Sequence, residues 1–297
     1  MYHTPVLLKE SIEALHINPD GIYIDLTLGG AGHTKEILSQ LKDGKLVAFD
    51  CDDDAEANLI NDDRFLFIGQ NFRFVKNFLK YYKVYPVDGI IADLGVSSHQ
   101  FDSAERGFSI RFDGPLDLRM DKTLGKTAAD LISEYREDEL IRVFSQYGEI
   151  ENTKKLVYII LEKRKQAEIK SISEFKEAIS SCIPKNKEFN YLARVFQALR
   201  IEVNDELSAL RDMLKQSADC LKQGGIIVII TYHSLEDRMV KNFFRTGNIE
   251  GKLEKDFYGN IISPFVPLNR KPIIPSKEEL FANNRSRSAK MRIAEKK

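Results

Sequence analysis

The sequence lacks the features of membrane-spanning and exported proteins. No apolar run approaches the roughly 18 residues that a membrane-spanning helix needs. The N-terminal segment Met1-Tyr2-His3-Thr4-Pro5 does not place a basic stretch before an apolar one, as a signal peptide does. We therefore expect a protein of the cytoplasm that acts away from membranes.

Cysteine is scarce, and its spacing excludes two further classes. The three cysteines, Cys51, Cys182 and Cys220, lie far apart and form no C-x-x-C pair. This spacing argues against a disulfide-stabilised scaffold and against a zinc site. We expect buried thiols and no bound metal. The acidic run Cys51-Asp52-Asp53-Asp54 lacks calcium-loop spacing, and the dipole of a helix start favours such acids.

The chain as a whole has no excess of basic residues, but its C-terminal segment does. The 297 residues carry a net charge of -1, and 43% of them are hydrophobic, enough for a large core. Arg245–Lys297 holds 12 Lys and Arg against 6 Asp and Glu. Its stretch Arg285–Arg292 is therefore a candidate contact for phosphate groups, although such a cluster is equally often solvated surface.

Short apolar runs alternate with helical patterns, which predicts an α/β fold with a doubly wound, mostly parallel sheet. The predicted strands are residues 22–25, 46–50, 65–68, 89–93, 226–230 and, more weakly, 289–293. Helices are predicted between them over residues 34–41, 53–60, 74–82, 204–221 and 235–244, with Asn204 as an N-cap.

The sheet pattern is interrupted by a long loop and a run of helices. The loop, residues 94–120, has no usable period, and a loop of this length inside a domain is usually functional. Helices follow at residues 128–134, 137–147, 153–168, 174–183 and 192–201, with a capping-box pattern at Ser171 and Glu174. We predict one domain from residues 1–104 and 205–297, and an inserted helical domain over residues 105–204.

A glycine-rich loop and an acid predict an adenosine-type cofactor. The loop Leu28-Gly29-Gly30-Ala31-Gly32-His33 follows the first strand and opens a helix, so backbone N–H groups can point at a ligand. Asp50 closes the second strand, where an acid can accept hydrogen bonds from ribose hydroxyls. Lys35 stands where a nicotinamide site wants a third glycine, so the pattern favours S-adenosylmethionine over NAD.

Asp93 ends the fourth strand, at the edge where ligands bind in such sheets. It could hold the cofactor or accept a hydrogen bond from an amine being methylated. Four histidines, His3, His33, His99 and His233, adjoin the predicted cleft, and we interpret them as hydrogen-bonded wall residues.

Several long motifs, in order, resemble one family over nearly the whole chain. They begin with His3-Thr4-Pro5-Val6-Leu7-Leu8 and end with Arg285-Ser286-Arg287-Ser288-Ala289-Lys290, and between them stand the blocks Asp93–Gln100, Arg106–Ser109, Gly114–Asp121, Phe196–Ile201 and His233–Arg238. Through these motifs the chain resembles the bacterial rRNA small-subunit methyltransferase H family, also called MraW. The resemblance implies a class I, Rossmann-like S-adenosylmethionine methyltransferase that methylates the N4 amine of a cytidine in the decoding region of 16S rRNA.

The resemblance also implies site residues and a helical insertion that recognises the substrate. Cofactor contacts are implied for Ala31, Gly32, His33, Asp50, Phe72, Asp93 and Gln100, and Asp93 is the candidate catalytic residue. The expected partner is the small ribosomal subunit. Phe101, Phe108 or Tyr232 could stack the target base, which must leave its own stack to react.

Three positions depart from the family pattern. Ala31 stands where the family usually has Gly, Asn190-Tyr191 replaces a His-Pro pair, and Thr231-Tyr232 replaces Ser-Phe. Two other classes stay open on the residues alone. A nicotinamide dehydrogenase would share the fold, and a non-catalytic ribosome-binding factor would share the basic end and the insertion.

Overall fold

The computed structural model describes residues 5–123 and 125–297, and the chain divides into two compact units. We call them the sheet unit, the described part of Met1–Gly95 with Leu207–Lys297, and the helical unit, Val96–Glu206. The predicted boundary after residue 104 differs from the observed one after Gly95. The difference arises because residues 96–104 also belong to the helical unit, where Val96 packs half-buried against its core.

A seven-stranded sheet forms the centre of the sheet unit. Its strands are β1 (Ile22–Asp25), β2 (Lys45–Phe49), β3 (Phe65–Ile68), β4 (Val87–Asp93), β5 (Leu221–Thr231), β6 (Phe265–Pro267) and β7 (Lys290–Lys296). The order is β3-β2-β1-β4-β5-β7-β6, with β1 to β5 parallel and β7 antiparallel to both neighbours. This confirms the predicted mostly parallel, doubly wound sheet. The order reverses between β1 and β4, where ligands bind in such folds.

The described residues form twelve α-helices. They are α1 (Leu8–Leu15), α2 (Gly32–Gln40), α3 (Val75–Tyr81), α4 (Ser98–Asp102), α5 (Ala128–Glu134), α6 (Glu137–Gln146), α7 (Thr153–Arg164), α8 (Ile172–Ile179), α9 (Glu188–Asn204), α10 (Glu206–Cys220), α11 (Ser234–Thr246) and α12 (Lys277–Ala282). No helix in the described ranges is both long and apolar enough to cross a membrane.

Each unit has its own apolar core. In the sheet unit, one cluster includes Phe49 and Phe244, and another includes Leu7 and Met291. In the helical unit a separate cluster gathers residues such as Phe144 and Phe175. A central sheet with two apolar clusters is the layered arrangement that a nearly continuous apolar strand pattern predicts.

One local prediction is confirmed and two are wrong. The Ser171 capping box is present, since the Glu174 N–H donates to Ser171 Oγ and the Ser171 N–H donates to Glu174 Oε2. Asn204 is not an N-cap. It ends α9, and its side chain instead bonds the backbone of Leu118 and Met120. The helix predicted over residues 53–60 is a short 3-10 helix, Asp53–Asn58, that Asp52 caps.

The basic C-terminal stretch is part of the sheet. β7 lies between β5 and β6, so the weakly predicted last strand is an interior one. Arg292 is buried and its guanidinium donates to Asp237 at 2.6 and 3.1 Å. Arg287, by contrast, is exposed in the 3-10 helix Asn284–Ser288 that precedes β7. Among the thiols, Cys182 and Cys220 are buried as predicted, and Cys51 is half-buried.

Candidate active site

Three aspartates end neighbouring strands at one edge of the sheet. Asp25 is the last residue of β1, Asp50 follows β2 directly, and Asp93 is the last residue of β4. Because β2, β1 and β4 are adjacent and parallel, their carboxyl ends lie side by side. The sheet therefore gathers three carboxylates where the strand order reverses.

The glycine loop is held against this edge by hydrogen bonds between its backbone and the side chains of Asp50 and Asn58. The Gly29 N–H donates to Asp50 Oδ2 at 2.8 Å, and the Asn58 side-chain amide donates to the Gly29 carbonyl at 2.8 Å. Gly29 has a φ of 46°, and Ala31, the N-cap of α2, has a φ of 59°. The loop thus turns through two left-handed residues before the helix begins, as a ligand-binding turn of this kind requires.

The three implied loop contacts, Ala31, Gly32 and His33, are engaged with the protein itself. The Ala31 methyl group is fully buried in a small cluster with Leu28, Ala48 and Ala55. A Cβ added to Gly32 would lie 2.0 Å from Cγ of Pro5, so this glycine lets the N-terminal segment approach α2. The departure from Gly at position 31 therefore places its extra methyl in the core.

His33 is a buried wall residue, in agreement with our interpretation of the cleft histidines. Its Nε2–H donates to the Val6 carbonyl at 3.1 Å. Burial lowers the pKa of His33 to about 4, so the imidazole stays neutral near pH 7. On the other side of the same segment, the Leu7 N–H donates to Glu279 Oε1 at 2.9 Å. We call Pro5–Leu7 the N-terminal strap, since it joins α2 to α12.

The Asp25 carboxylate accepts hydrogen bonds from residues on both sides of the glycine loop. Asp25 is not among the predicted site residues. Its Oδ1 accepts from the Thr27 N–H at 3.0 Å and its Oδ2 accepts from Thr34 Oγ1 at 2.7 Å. Thr27 Oγ1 in turn accepts from the Asp93 N–H at 2.7 Å. The strand-end rule that indicated Asp50 and Asp93 would also have found Asp25, which is 1% exposed.

Asp93 is held by a tyrosine from the end of β5. The Tyr232 hydroxyl donates to Asp93 Oδ1 at 2.8 Å. Tyr232 is itself fixed, because its backbone N–H donates to the buried Glu236 Oε2 at 2.9 Å. The left-handed Gly95 lies beside the tyrosine ring, and a Cβ there would meet Cδ2 at 3.4 Å. One Asp93 oxygen is thus oriented by the protein.

The strand-end carboxyl groups share an unfavourable environment for negative charge. Burial, together with the charge of Asp50, raises the pKa of Asp25 to about 7. Burial raises the pKa of Asp50 to about 6. Burial also raises the pKa of Asp93 to about 7, and the charges of Asp25, Glu236 and Glu279 add to it, while the Tyr232 hydrogen bond opposes it. A cationic ligand would relieve this repulsion.

Comparison with known proteins gives the chain its family. The sequence model of the MraW methylase family matches residues 1–297. Relatives in three bacteria, among others, carry the name Ribosomal RNA small subunit methyltransferase H. Those of Bacteroides fragilis and Bacteroides thetaiotaomicron are 55% identical over 100% of this chain and 98% of their own, and that of Cytophaga hutchinsonii is 53% identical over 100% of both. The chain belongs to the MraW methylase family.

Family membership confirms the resemblance and the predicted methyltransferase activity, and S-adenosylmethionine is the methyl donor of such an enzyme. It also decides against the two alternatives. A methylase is neither a nicotinamide dehydrogenase nor a non-catalytic binding factor. The roles of the individual site residues stay predictions.

The remaining predicted residues of this MraW-family chain lie in both units. Phe72 begins the 3-10 helix Phe72–Phe74 in the sheet unit and packs half-buried against the main core. Gln100 lies in the helical unit, buried in α4, where its Oε1 accepts from the Ser97 N–H at 2.9 Å. His3 lies outside the described residues.

Two of the candidate base-stacking residues, Phe108 and Tyr232, already make contacts within the protein. Phe108 is buried in the core of the helical unit with the Arg106 guanidinium over its ring, so the prediction that it stacks the base is wrong. Tyr232 uses its hydroxyl on Asp93. Phe101 remains partly exposed in α4. His99 is also exposed, whereas His233 caps α11 and contacts Glu236.

Proposed function

We propose that this protein transfers a methyl group from S-adenosylmethionine to the N4 amine of one cytidine in the decoding region of 16S rRNA. The names of its relatives, at 50 to 55% identity over nearly the whole chain, support an rRNA small-subunit methyltransferase. The choice of cytidine N4 and of the decoding region rests on the family resemblance of the sequence motifs.

The observation that carries the proposal is the group of strand-end carboxyls around the glycine loop. S-adenosylmethionine brings a sulfonium cation and two ribose hydroxyls. Burial raises the pKa values of Asp25, Asp50 and Asp93, and the charge of Asp50 on Asp25 and of Asp25 on Asp93 adds to this, so a nearby cation is favourable for them. The residues present therefore fit this donor chemically.

We assign each side of the donor to residues of the sheet unit. Asp50 would accept a hydrogen bond from a ribose hydroxyl, since its two oxygens offer four lone pairs and the backbone N–H groups of Gly29, Cys51 and Asp52 bond to them. The Gly29–Ala31 turn would line the donor, and Phe72 would contact the adenine. Asp93 is assigned to the reacting end, and Gln100 is a further contact that the resemblance implies.

When bound, the donor supplies an electrophilic methyl group. The protein's task is to hold the amine of the base close to it and to stabilise the positive charge that the nitrogen gains. Asp93 can do both, because an ionised carboxylate accepts an amine hydrogen bond and can take its proton. Tyr232 keeps Oδ1 in place, so the second oxygen, Oδ2, is the one we assign to the amine.

The partner and the location follow from the same proposal. The substrate is the small ribosomal subunit, and the protein acts in the cytoplasm, where subunits are assembled. The helical unit is the proposed substrate-recognition element. Its segment Asp121–Asn204 holds 15 Lys and Arg against 14 Asp and Glu, so it would recognise RNA by shape and by a few placed residues rather than by bulk charge.

The test uses donor carrying a labelled methyl group, with mature and immature small subunits as substrates. After incubation the rRNA is digested to nucleosides, and we expect label in N4-methylcytidine from a single site. Label in another nucleoside would retain the rRNA methyltransferase and refute the N4 assignment. Label in ribosomal protein alone would refute the proposal.

A further inference from the structure

The helical unit has a surface cavity of its own, and none of the strand-end carboxyls lines it. Its volume is about 430 Å³, and it is lined by Ile110, Arg111, Lys176, Glu188, Phe189 and Leu192. Ligand pockets commonly measure about 300 to 1,000 Å³. The cavity is thus large enough for one small organic group, such as a nucleotide.

The cavity is built by segments that are tied together. The loop segment that contributes Ile110 and Arg111 is fixed to the start of α8, because Asp113 accepts from the Ser173 N–H at 3.0 Å and from Ser173 Oγ at 2.9 Å. Lys176 Nζ donates to the Ile110 carbonyl at 3.2 Å, which closes the loop over α8. A site with walls fixed in this way needs little reordering when a ligand binds.

Its chemistry combines an aromatic face with two cations. Phe189, in the first turn of α9, is 59% exposed, although a phenylalanine ring favours burial. Leu192, one helical turn further on, is buried and gives the cavity an apolar floor. Arg111 and Lys176 bring two positive charges against the single negative charge of Glu188. Aromatic rings beside cations are the means by which proteins hold unstacked bases and their phosphates.

We propose that this cavity holds one unstacked nucleotide of the RNA substrate, at a position other than the methylated one. Phe189 stacks on the base, and Arg111 and Lys176 contact its phosphates. Glu188 accepts from the amino or imino group of the base. The inference rests on the proposed function, since it takes RNA as the substrate.

The sequence next to the cavity departs from the family pattern that the motifs indicate. Asn190-Tyr191, directly after Phe189, is where the chain departs from the family's His-Pro pair. Tyr191 is buried, and its hydroxyl donates to Asn152 Oδ1 at 2.9 Å. Its backbone N–H, which a proline lacks, donates to the Lys187 carbonyl at 2.9 Å. The departure thus supports a regular first turn of α9, the turn that presents Phe189.

The absence of tryptophan from the chain gives a direct test. Phe189→Trp introduces a single indole into the cavity, and Tyr158→Trp introduces one on α7, where Tyr158 is 64% exposed and does not line the cavity. Titration with a single-stranded RNA oligonucleotide covering the target region should quench the first indole and leave the second unchanged. Equal behaviour of the two indoles would overturn the inference.

Affinity measurements separate stacking from charge. Phe189→Ala should weaken RNA binding by roughly five- to a hundredfold, the usual effect of losing one base-stacking ring. Arg111→Gln with Lys176→Gln should lower the salt dependence of binding by about two phosphate contacts. Tyr158→Ala is the matched control and should change neither. Unchanged binding in the Phe189→Ala protein, shown to be folded by its thermal transition, would refute the stacking role.

Two further comparisons keep the inference distinct from the proposed function. Transfer of label to rRNA by the unaltered protein, with no effect of Phe189→Ala on RNA affinity, would refute the cavity and leave the function intact. Absence of any transfer to rRNA would refute the function. Quenching of the Phe189→Trp protein by intact subunits and not by purified 16S rRNA would assign the cavity to a ribosomal protein and overturn the inference.

Discussion

At the scale of single residues, the site combines fixed hydrogen bonds with unfavourable charge. Asp25, Asp50 and Asp93 each accept at least one hydrogen bond from the loop or from Tyr232. These bonds favour the ionised forms, but burial outweighs them and the pKa values rise. In their ionised forms these carboxyls therefore lower the stability of the fold, and a cation beside them would offset this cost.

Asp50→Ala should weaken binding of S-adenosylmethionine by about ten- to a hundredfold, because a charged acceptor of ribose hydrogen bonds is worth roughly 1.5 to 3 kcal/mol. Isothermal calorimetry measures the affinity. Asp53→Ala removes an exposed acid three residues away and is the control, with no change expected. An unaltered affinity in the Asp50→Ala protein would remove Asp50 from the donor site.

Tyr232→Phe should shift the acidic limb of the rate–pH profile towards higher pH. The Tyr232 hydrogen bond stabilises the ionised Asp93, so its loss raises the pKa of Asp93 further. A hydrogen bond to a charged group is worth about 1.5 to 3 kcal/mol, which corresponds to a shift of about one to two pH units. The rate of labelled-methyl transfer, measured from about pH 5.5 to 9, gives the pH at which the acidic limb of the profile lies.

This substitution restores the usual family residue, so the variant should fold. Its donor affinity at pH 8.5 should match that of the unaltered protein. The acidic groups that face Asp93, namely Asp25, Glu236 and Glu279, are unchanged in the variant and keep their influence on the limb. A limb at the original pH would mean that Tyr232 does not act on the reaction through Asp93.

The sequence indicates these residues unequally. Asp50 and Asp93 follow from the rule that parallel strands end at one edge. Tyr232 could be recognised as a departure from the family, but its bond to Asp93 joins residues 139 positions apart and depends on β4 and β5 being neighbours. The burial of Phe108 likewise depends on the packing of the helical unit, which no local pattern reveals.

At the scale of elements, the N-terminal strap couples α2 to α12. Pro5 lies against Gly32, the Val6 carbonyl accepts from His33, and the Leu7 N–H donates to Glu279. Glu279 is also one of the charges that raise the pKa of Asp93. The strap therefore contacts Glu279, whose charge acts on Asp93 of the candidate active site.

Gly32→Ala should destabilise the protein by about 1 to 3 kcal/mol, since the new methyl group cannot fit beside Pro5 without moving the strap. Thermal unfolding measures the change. Gly69→Ala is the control, because a Cβ there would meet its nearest atom at an ordinary 3.5 Å. Adding Pro5→Ala to Gly32→Ala should recover part of the loss, and no recovery would show that the clash is not the cause.

The segment before β7 offers a second element to test. Deleting the basic end would remove an interior strand of the sheet, so a point substitution is the cleaner change. Arg287→Gln should weaken RNA binding similarly for all sequences and lower its salt slope by about one contact. Filter binding at several salt concentrations measures the slope, and a slope equal to that of the unaltered protein would place Arg287 outside the RNA interface.

Helices and strands are predicted correctly where the pattern of apolar residues fits only one kind of secondary structure. The strands β1 and β3 and the helix α5 have the predicted bounds, because apolar runs and caps mark their ends. α1 and the three-residue β6 were not predicted. α1 begins after Leu7 in a left-handed conformation without a side-chain cap, and β6 exists only through pairing with β7.

At the scale of the whole molecule, stability and donor binding should both depend on pH. The folded pKa values of Asp25, Asp50 and Asp93 lie near 6 to 7, above the 3.8 of a free aspartate. At these three carboxyls the folded protein therefore binds more protons than the unfolded chain between about pH 4 and 7, and the lowered pKa of the single residue His33 offsets only part of this difference. The free energy of unfolding should fall as the pH rises through this window.

Binding of the sulfonium donor should release protons near pH 6.5, because a cation favours the ionised carboxyls. Calorimetry in two buffers of different ionisation heat counts the protons released. The neutral thioether product is the matched control and should release fewer. Identical proton release by donor and product would separate the carboxyls from the sulfonium charge.

The position of β7 also fixes when the enzyme can become complete during its synthesis. The helical unit is one continuous segment, and all of its residues have been made once translation has passed residue 206. The sheet unit needs β5 and then β7, whose residues are made last. The sheet of a nascent chain is therefore incomplete until β7 has been made, although every residue of the helical unit is made earlier.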